Sequence, residues 1–360
     1  MDERVFPYKA GQPIPKWDLM HRLPINRPVS SECKDSSTIF RINSTYMDVT
    51  DQPFRDRQWQ AGGVLIAAFM SASFIWFLSF MIMNPASRVE VMVVALHCLV
   101  VAAIVSFAHT AFKYGRDEFF SLKRRPIRFN RKVQKIYAIR RRRFFAKSGQ
   151  GDVTWEVPWD ENAIFCIHRG TAHHRQTYHI RCYEVDESGN VMRAFAIGRT
   201  WDGVECMEDL LSQWNYWCWY MNLGPADLPK PLLFFKESES MLESFLFCMY
   251  EFGMRATAAY RISMMPFILL MTSHRLMALW TCRDPVWPEA VVNASVIDPD
   301  DPFDEPRGNT PVGWAETAHA LDRHEYPDGA KCAMKDWRGE KDPTVNALLW
   351  AEDIPPSSGS

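Results

Sequence analysis

AGGVLIAAFMSASFIWFLSFMIM, residues 61–83, carries no charged side chain, and none appears anywhere in 58–87. A helix needs about 20 apolar residues to cross a hydrocarbon core about 30 Å thick. This run supplies them. Asn84-Pro85 closes it, because proline lacks the N–H that would extend the helical ladder. A second run at 91–112, VMVVALHCLVVAAIVSFAHTAF, is uncharged apart from the titratable His97 and His109. The connection is only a few residues long, so the two runs read as an antiparallel transmembrane hairpin. The alternative is a buried helical hairpin in a large soluble protein. Adjacent helices that are apolar all round are rare in soluble cores.

Small residues recur in both runs: Gly62, Gly63, Ala67 and Ser71 in the first, Ala95, Ala102, Ala103 and Ser106 in the second. Such residues let helix backbones approach closely in lipid. His97 is expected to be a packed, hydrogen-bonded histidine rather than a functional group.

Basic residues orient the hairpin. Arg55 and Arg57 precede it, and Lys113, Arg116, Lys123, Arg124, Arg125, Arg128, Arg131, Lys132 and Lys135 follow it. The tight loop holds only Arg88, beside Glu90. The positive-inside rule then places both termini in the cytoplasm. Lys123, Arg124, Arg125, Arg140, Arg141, Arg142 and Arg143 are the candidates for contact with the membrane surface. Each basic side chain near anionic headgroups gains about 1 kcal/mol. A plain topology signal explains the same charges. No stacking platform or nucleic-acid module accompanies them, so no nucleic-acid partner is expected.

Beyond the hairpin, residues 127–198 read as β structure. Strands are expected at 127–130, 135–140, 153–157, 163–167, 177–183 and 191–197, with a turn at 187–190. A helix is expected over 201–221, with Asp202 as its cap and apolar positions at Leu210, Leu211, Trp214 and Trp217. Short antiparallel strands closed by one amphipathic helix resemble a pleckstrin-homology-like barrel; a generic α+β sandwich is the alternative. Gly224-Pro225 and Pro229-Lys230-Pro231 break the chain. Residues 232–282 then read as a helical region. Within it, ISMMPFILLMT at 262–272 is short for a span and is interrupted by Pro266. It is expected to be a core or interfacial helix, with a third span as the remaining alternative. Residues 283–360 are proline-rich and acidic; from 298 onward 14 acidic residues face 6 basic ones. A poorly packed tail is the expectation. The fold class is therefore an α+β membrane protein. Its parts are an N-terminal segment (1–57), the hairpin (58–112), a basic linker with a β-rich domain (113–222), the helical region and the acidic tail.

The mean hydropathy of −0.23 is ordinary for a soluble chain, so the apolar residues are segregated rather than abundant. A net charge of −2 points to no global anionic partner. The nine cysteines form no CxxC pair and read as reduced, structural thiols. MDERVFPYKAGQPIPKW at the N-terminus has no apolar core for a signal peptide, so insertion falls to the internal segment. The sequence has no Walker loop, GxGxxG, GxSxG or HExxH. Catalytic residues, a metal and a cofactor are not expected. The nearest thing to a metal motif is HRGTAHHRQTYH at 168–179. It lacks a cysteine or carboxylate at ligand spacing, and its arginines oppose a cation. A hairpin loop with exposed histidines is the expected reading.

The order of these parts, with RFNR at 128–131, EVPWDE at 156–161 and the helix around Trp214, resembles a family of uncharacterised bacterial inner-membrane proteins encoded beside type VI secretion effectors. The resemblance covers about residues 5–280. It implies an inner-membrane immunity or accessory protein, whose partners are the lipid bilayer and a cognate toxin effector; the missing catalytic motifs favour protection by binding over an enzyme. The other open reading is a membrane-tethered adaptor or lipid-sensing module.

Overall fold

The structure is a computed structural model. It describes residues 10–83 except Ser31 and Ser37, 91–141, 147, 149, 151–251 except His173 and His174, 256–327 and 332–333. The loop with Arg88 and Glu90, Arg142 and Arg143, and the tail beyond 333 lie outside the described residues.

Helix α1 (Lys16–Met20) and strand β1 (Glu32–Cys33) lead to β2 (Ile39–Ile42) and β3 (Tyr46–Val49). Helix α2 (Gln52–Arg55) then turns the chain into α3 (Arg57–Met83), and α4 (Val91–Glu118) returns to β4 (Ile127–Asn130). With β5 (Lys135–Arg141) and β6 (Asp152–Pro158) the chain completes an antiparallel sheet in the order β2-β3-β4-β5-β6. Strand β3, before the hairpin, pairs with β4, after it, from Tyr46 opposite Asn130 to Val49 opposite Ile127. The helical hairpin is thus an insertion in a β-meander, and a boundary drawn at residue 57 cuts through one sheet. Arg128 and Asp48 face each other across this junction and form a buried two-point ion pair, 2.7 and 2.6 Å. The Arg128 guanidinium also lies 3.9 Å from the Tyr46 ring centre, which shields the pair from water.

A second antiparallel sheet contains β7 (Ile164–Ala172), β8 (Arg175–Val185) and β9 (Val191–Asp202). Asp186 caps the β8–β9 turn by accepting from the N–H groups of Ser188 and Asn190. The expected start of the next helix needs correction. Strand β9 runs on through Asp202, which pairs with Thr177, and α5 (Met207–Asn222) begins after a 3-10 turn at Val204–Cys206. Asp202 is therefore a strand residue and not a cap. Glu208 and Asp209 sit in the first turn of α5, where carboxylates favour the helix dipole.

Both sheets and α5 share one core. Phe129, Phe165, Ile180, Leu210, Trp214 and Trp217 are all buried in it. Helix α5 is not amphipathic in its setting: residues 210–221 are buried on every side. The N-terminal segment covers its far side. Asn215 donates to the carbonyls of Ser30 and Glu32, Trp214 to that of Pro24, and the Tyr220 hydroxyl to that of Asn43. At Gly198, φ is +71°, and a Cβ there would fall 2.3 Å from the Trp217 ring. Glycine lets β9 pass over that indole.

The remaining helices are α6 (Met241–Tyr250), α7 (Ala258–Ser263), α8 (Met265–Thr281), α9 (Glu289–Asn293) and α10 (Trp314–Asp322); β10 (Cys332–Ala333) pairs with β1. Pro266 stands in the first turn of α8 and begins that helix rather than interrupting it. The expected loose tail is corrected over its described part. Asp301 accepts from the Ser44 N–H and hydroxyl, Asp304 takes a two-point bond from Arg41, and Trp314 and Ala320 are buried.

Candidate functional site

Helices α3 and α4 stand out from the rest of the chain. Both are long and apolar enough to cross a membrane. Only 11% and 6% of their most apolar windows are buried within the protein. Core helices of a soluble protein bury such surface. Here Phe69, Trp76, Phe80, Met92, Leu99 and Phe112 are exposed.

The two helices meet along a seam. Among the covered positions, Val64, Ala67, Ser71, Phe74, Leu78 and Met81 of α3 and Val93, His97, Val100, Ile104, Phe107 and Ala111 of α4 form one stripe on each helix, with Leu65, Met70 and Ser73 of α3 and Ala103 and Thr110 of α4 half-covered beside it. The alternating spacing of three and four is that of a left-handed helix pair. Phe74 and Phe107 stack at 5.9 Å, and the Ser71 hydroxyl reaches the Ile104 carbonyl at 3.5 Å. His97 lies on this seam, with Nδ1 2.7 Å from the Val93 carbonyl. The small residues divide differently from the expected interface. Ala67 and Ser71 face α4, whereas Ala95, Ala102 and Ser106 are exposed and Gly63 has nothing near it. Gly62 faces α8: a Cβ there would come within 2.5 Å of His274 Nδ1.

The base of the hairpin is held by two buried arginines. Arg57 opens α3 and donates to the carbonyls of Glu118, Leu122 and Lys123, at 3.1, 2.8 and 2.9 Å. The first is a carbonyl that the end of α4 leaves without a helical donor, and the other two belong to the segment that follows it. Arg275, from α8, makes a two-point bond with Glu239, 2.6 and 2.7 Å, and also donates to the Phe54 carbonyl and to Gln58. The rings of Phe54 and Phe247 flank its guanidinium. Gln58 and Trp59 donate to Glu251 at 2.7 and 2.6 Å. Burial pushes the Glu251 carboxyl above the usual carboxylate range, against those donors. The first turns of α3 are therefore fastened to α4 and α8 by the buried Arg57, Gln58 and Arg275, and to the end of α6 by the more exposed Glu251.

The basic residues proposed for membrane contact are placed as follows. Arg141 is turned inward, bonded to Asp117 at 3.0 Å with both side chains under a tenth exposed. Arg140 lies over Phe195 and donates to the Ala196 carbonyl. Lys123 pairs with Asp284, while Arg124 pairs with Glu237 and lies over Phe40. Arg125 is half-buried. Arg142 and Arg143 are outside the described residues. Sequence reasoning missed Arg57, Gln58, Glu239 and Arg275 as a set. Their signal is an isolated charge at the edge of, or inside, an apolar run.

The histidine stretch is also relocated. His168 and His179 face each other across β7 and β8 instead of sitting in an exposed loop; His173 and His174 are outside the described residues. His168 Nδ1 lies 2.6 Å from Asp18, and the Tyr183 hydroxyl donates to the same carboxylate oxygen at 2.5 Å. Burial, with Arg181 and His168 nearby, holds the His179 imidazole well below its ordinary proton affinity. Asp18, His179, Arg181 and Tyr183 are buried. This enclosed cluster fastens α1 to the second sheet. Among the described residues no group of three or more His, Cys, Asp or Glu could hold a metal.

A family model matches residues 104–299, more than half of the chain. The chain belongs to DUF6708, a family of unknown function. The DUF6708 match takes in the second half of α4, strands β4 to β9 and helices α5 to α9. Strands β2 and β3, which complete the first sheet, and helix α3 precede the DUF6708 segment. No curated protein and no solved structure matches the chain.

Proposed function

We propose that this protein is a multi-pass anchor of a bacterial inner membrane, with both termini in the cytoplasm, that binds and neutralises a secretion-system toxin. The anchoring part is carried by one observation: two helices whose exposed runs, 61–83 and 91–112, carry no Asp, Glu, Lys or Arg rise from a fixed base. Pairing of β3 with β4 supports a same-side arrangement, since the strands on either side of the hairpin belong to one sheet. The basic residues after α4 favour the cytoplasm for that side. What supports the toxin-binding part is the sequence resemblance over residues 5–280. The hairpin would keep the β-rich body at the membrane, raising its local concentration near a membrane-acting toxin. A cell lacking the gene is expected to be intoxicated by wild-type siblings and rescued by the intact gene. Equal survival against every effector the siblings deliver would contradict this role.

The second reading is a membrane-tethered adaptor built on a pleckstrin-homology-like module. Two antiparallel sheets closed by α5 favour it. Against it, Arg141 and Lys123 are engaged in ion pairs within the protein, which leaves fewer cations for headgroups. Headgroup-selective binding by the full chain would favour the adaptor.

A further inference from the structure

Helices α7 and α8 turn a charge-free face away from the protein. Its exposed large side chains are Tyr260, Ile262, Leu269, Leu270, Met277 and Trp280, and Ser263 and Ser273 are exposed beside them. Of the basic side chains in 258–281, Arg261 is half-buried with its guanidinium 4.7 Å from the Tyr250 ring centre, and His274 and Arg275 are buried on the opposite side. His274 lies against Gly62 of α3, and Arg275 holds Gln58 and the Phe54 carbonyl. The charged side of α8 is thus committed to the base of the hairpin. The exposed side comes against α3 at the ring contact of Phe267 with Trp59, 5.5 Å between centres, where Trp59 is itself exposed just before the uncharged run of α3. A contiguous apolar surface of this kind marks an interaction site.

We propose that α7 and α8 form a third membrane-embedded element, lying in the cytoplasmic-side boundary between phospholipid headgroups and acyl chains. The inference rests on α3 and α4 being the anchor. Lipid is the occupant because the stripe continues the surface of that anchor. Helix α8 has 17 residues, which makes it about 25 Å long, short of a core about 30 Å thick. One side of it is also buried in protein, so it lies in the interface and does not cross. Tyr260 and Trp280, exposed at the two ends, are the residue types that favour the headgroup level. This seat would fix the tilt of the β-rich body against the bilayer.

The test uses the full chain in vesicles of phosphatidylethanolamine and phosphatidylglycerol that include a phospholipid with a photoreactive diazirine on its acyl chain. Adducts are mapped by mass spectrometry after irradiation. The expected result is labelling of Leu270 and Trp280 together with Phe69 and Phe112 of the hairpin, and none on Met192, an exposed apolar residue of β9. A labelled hairpin with unlabelled Leu270 and Trp280 overturns this inference and leaves the anchor standing. An unlabelled hairpin overturns the anchor reading as well.

Discussion

Arg275 has no access to water and depends on Glu239 for its charge partner. Replacing it by leucine leaves the carboxylate buried and unpaired, which typically costs about 3–5 kcal/mol. Arg275→Leu is expected to lower the unfolding midpoint in detergent by a matching amount, and Arg275→Leu with Glu239→Leu to recover much of it. Gly62→Val is expected to separate α3 from α8, costing about 1–3 kcal/mol by overpacking, and His274→Ala should relieve it. His179 gives a pH signature. Its folded-state pKa lies well below the ordinary 6.5, so the unfolded chain binds more protons. Stability is then complete above 6.5 and falls as the pH drops below it. His179→Gln should make that fall shallower in unfolding measured as a function of pH; an unchanged slope would mean the histidine is not held neutral. Little of this was legible beforehand. Arg57 reads in sequence as a topology charge, because nothing local shows that the carbonyls of Glu118, Leu122 and Lys123, at and just beyond the end of α4, will meet it. Arg275 reads as the flank of an apolar run, because its partner is 36 residues away.

At the level of elements, the sequence was most informative where periodicity is local. The uncharged runs at 61–83 and 91–112 lie within α3 and α4, and each of the six strands expected after the hairpin overlaps an observed one. Strands β2 and β3 were not foreseen. Each has four residues, and the partner of β3 lies beyond two long helices. The start of α5 was misplaced because pairing with Tyr178 and Thr177 holds Trp201 and Asp202 in β9, against a local helical pattern. Trp214 was expected on the buried face, and it is fully buried, with its indole N–H on the Pro24 carbonyl at 2.8 Å. Trp214→Ala is expected to destabilise the fold by about 3–5 kcal/mol, read from the chaotrope midpoint of the full chain. No change in midpoint would contradict a core built around α5.

On the scale of the whole molecule, the described parts of the N-terminal segment, the β-rich body and the acidic region pack together around the base of the hairpin. Removal of residues 283–360 is therefore expected to destabilise the body, since Arg283 holds Asp152 and Asp301 holds Ser44. Unfolding of the truncated and full chains in detergent compares the two; equal midpoints would show that the tail is dispensable. The central claim is that the hairpin crosses the bilayer while everything flanking it stays in the cytoplasm. Alkaline phosphatase, active only outside the cytoplasm, tests it when inserted in the full chain after Met83 and, separately, after Lys147. Activity at Met83 and none at Lys147 is the predicted result. Activity at Lys147, or none at either position, would contradict the account.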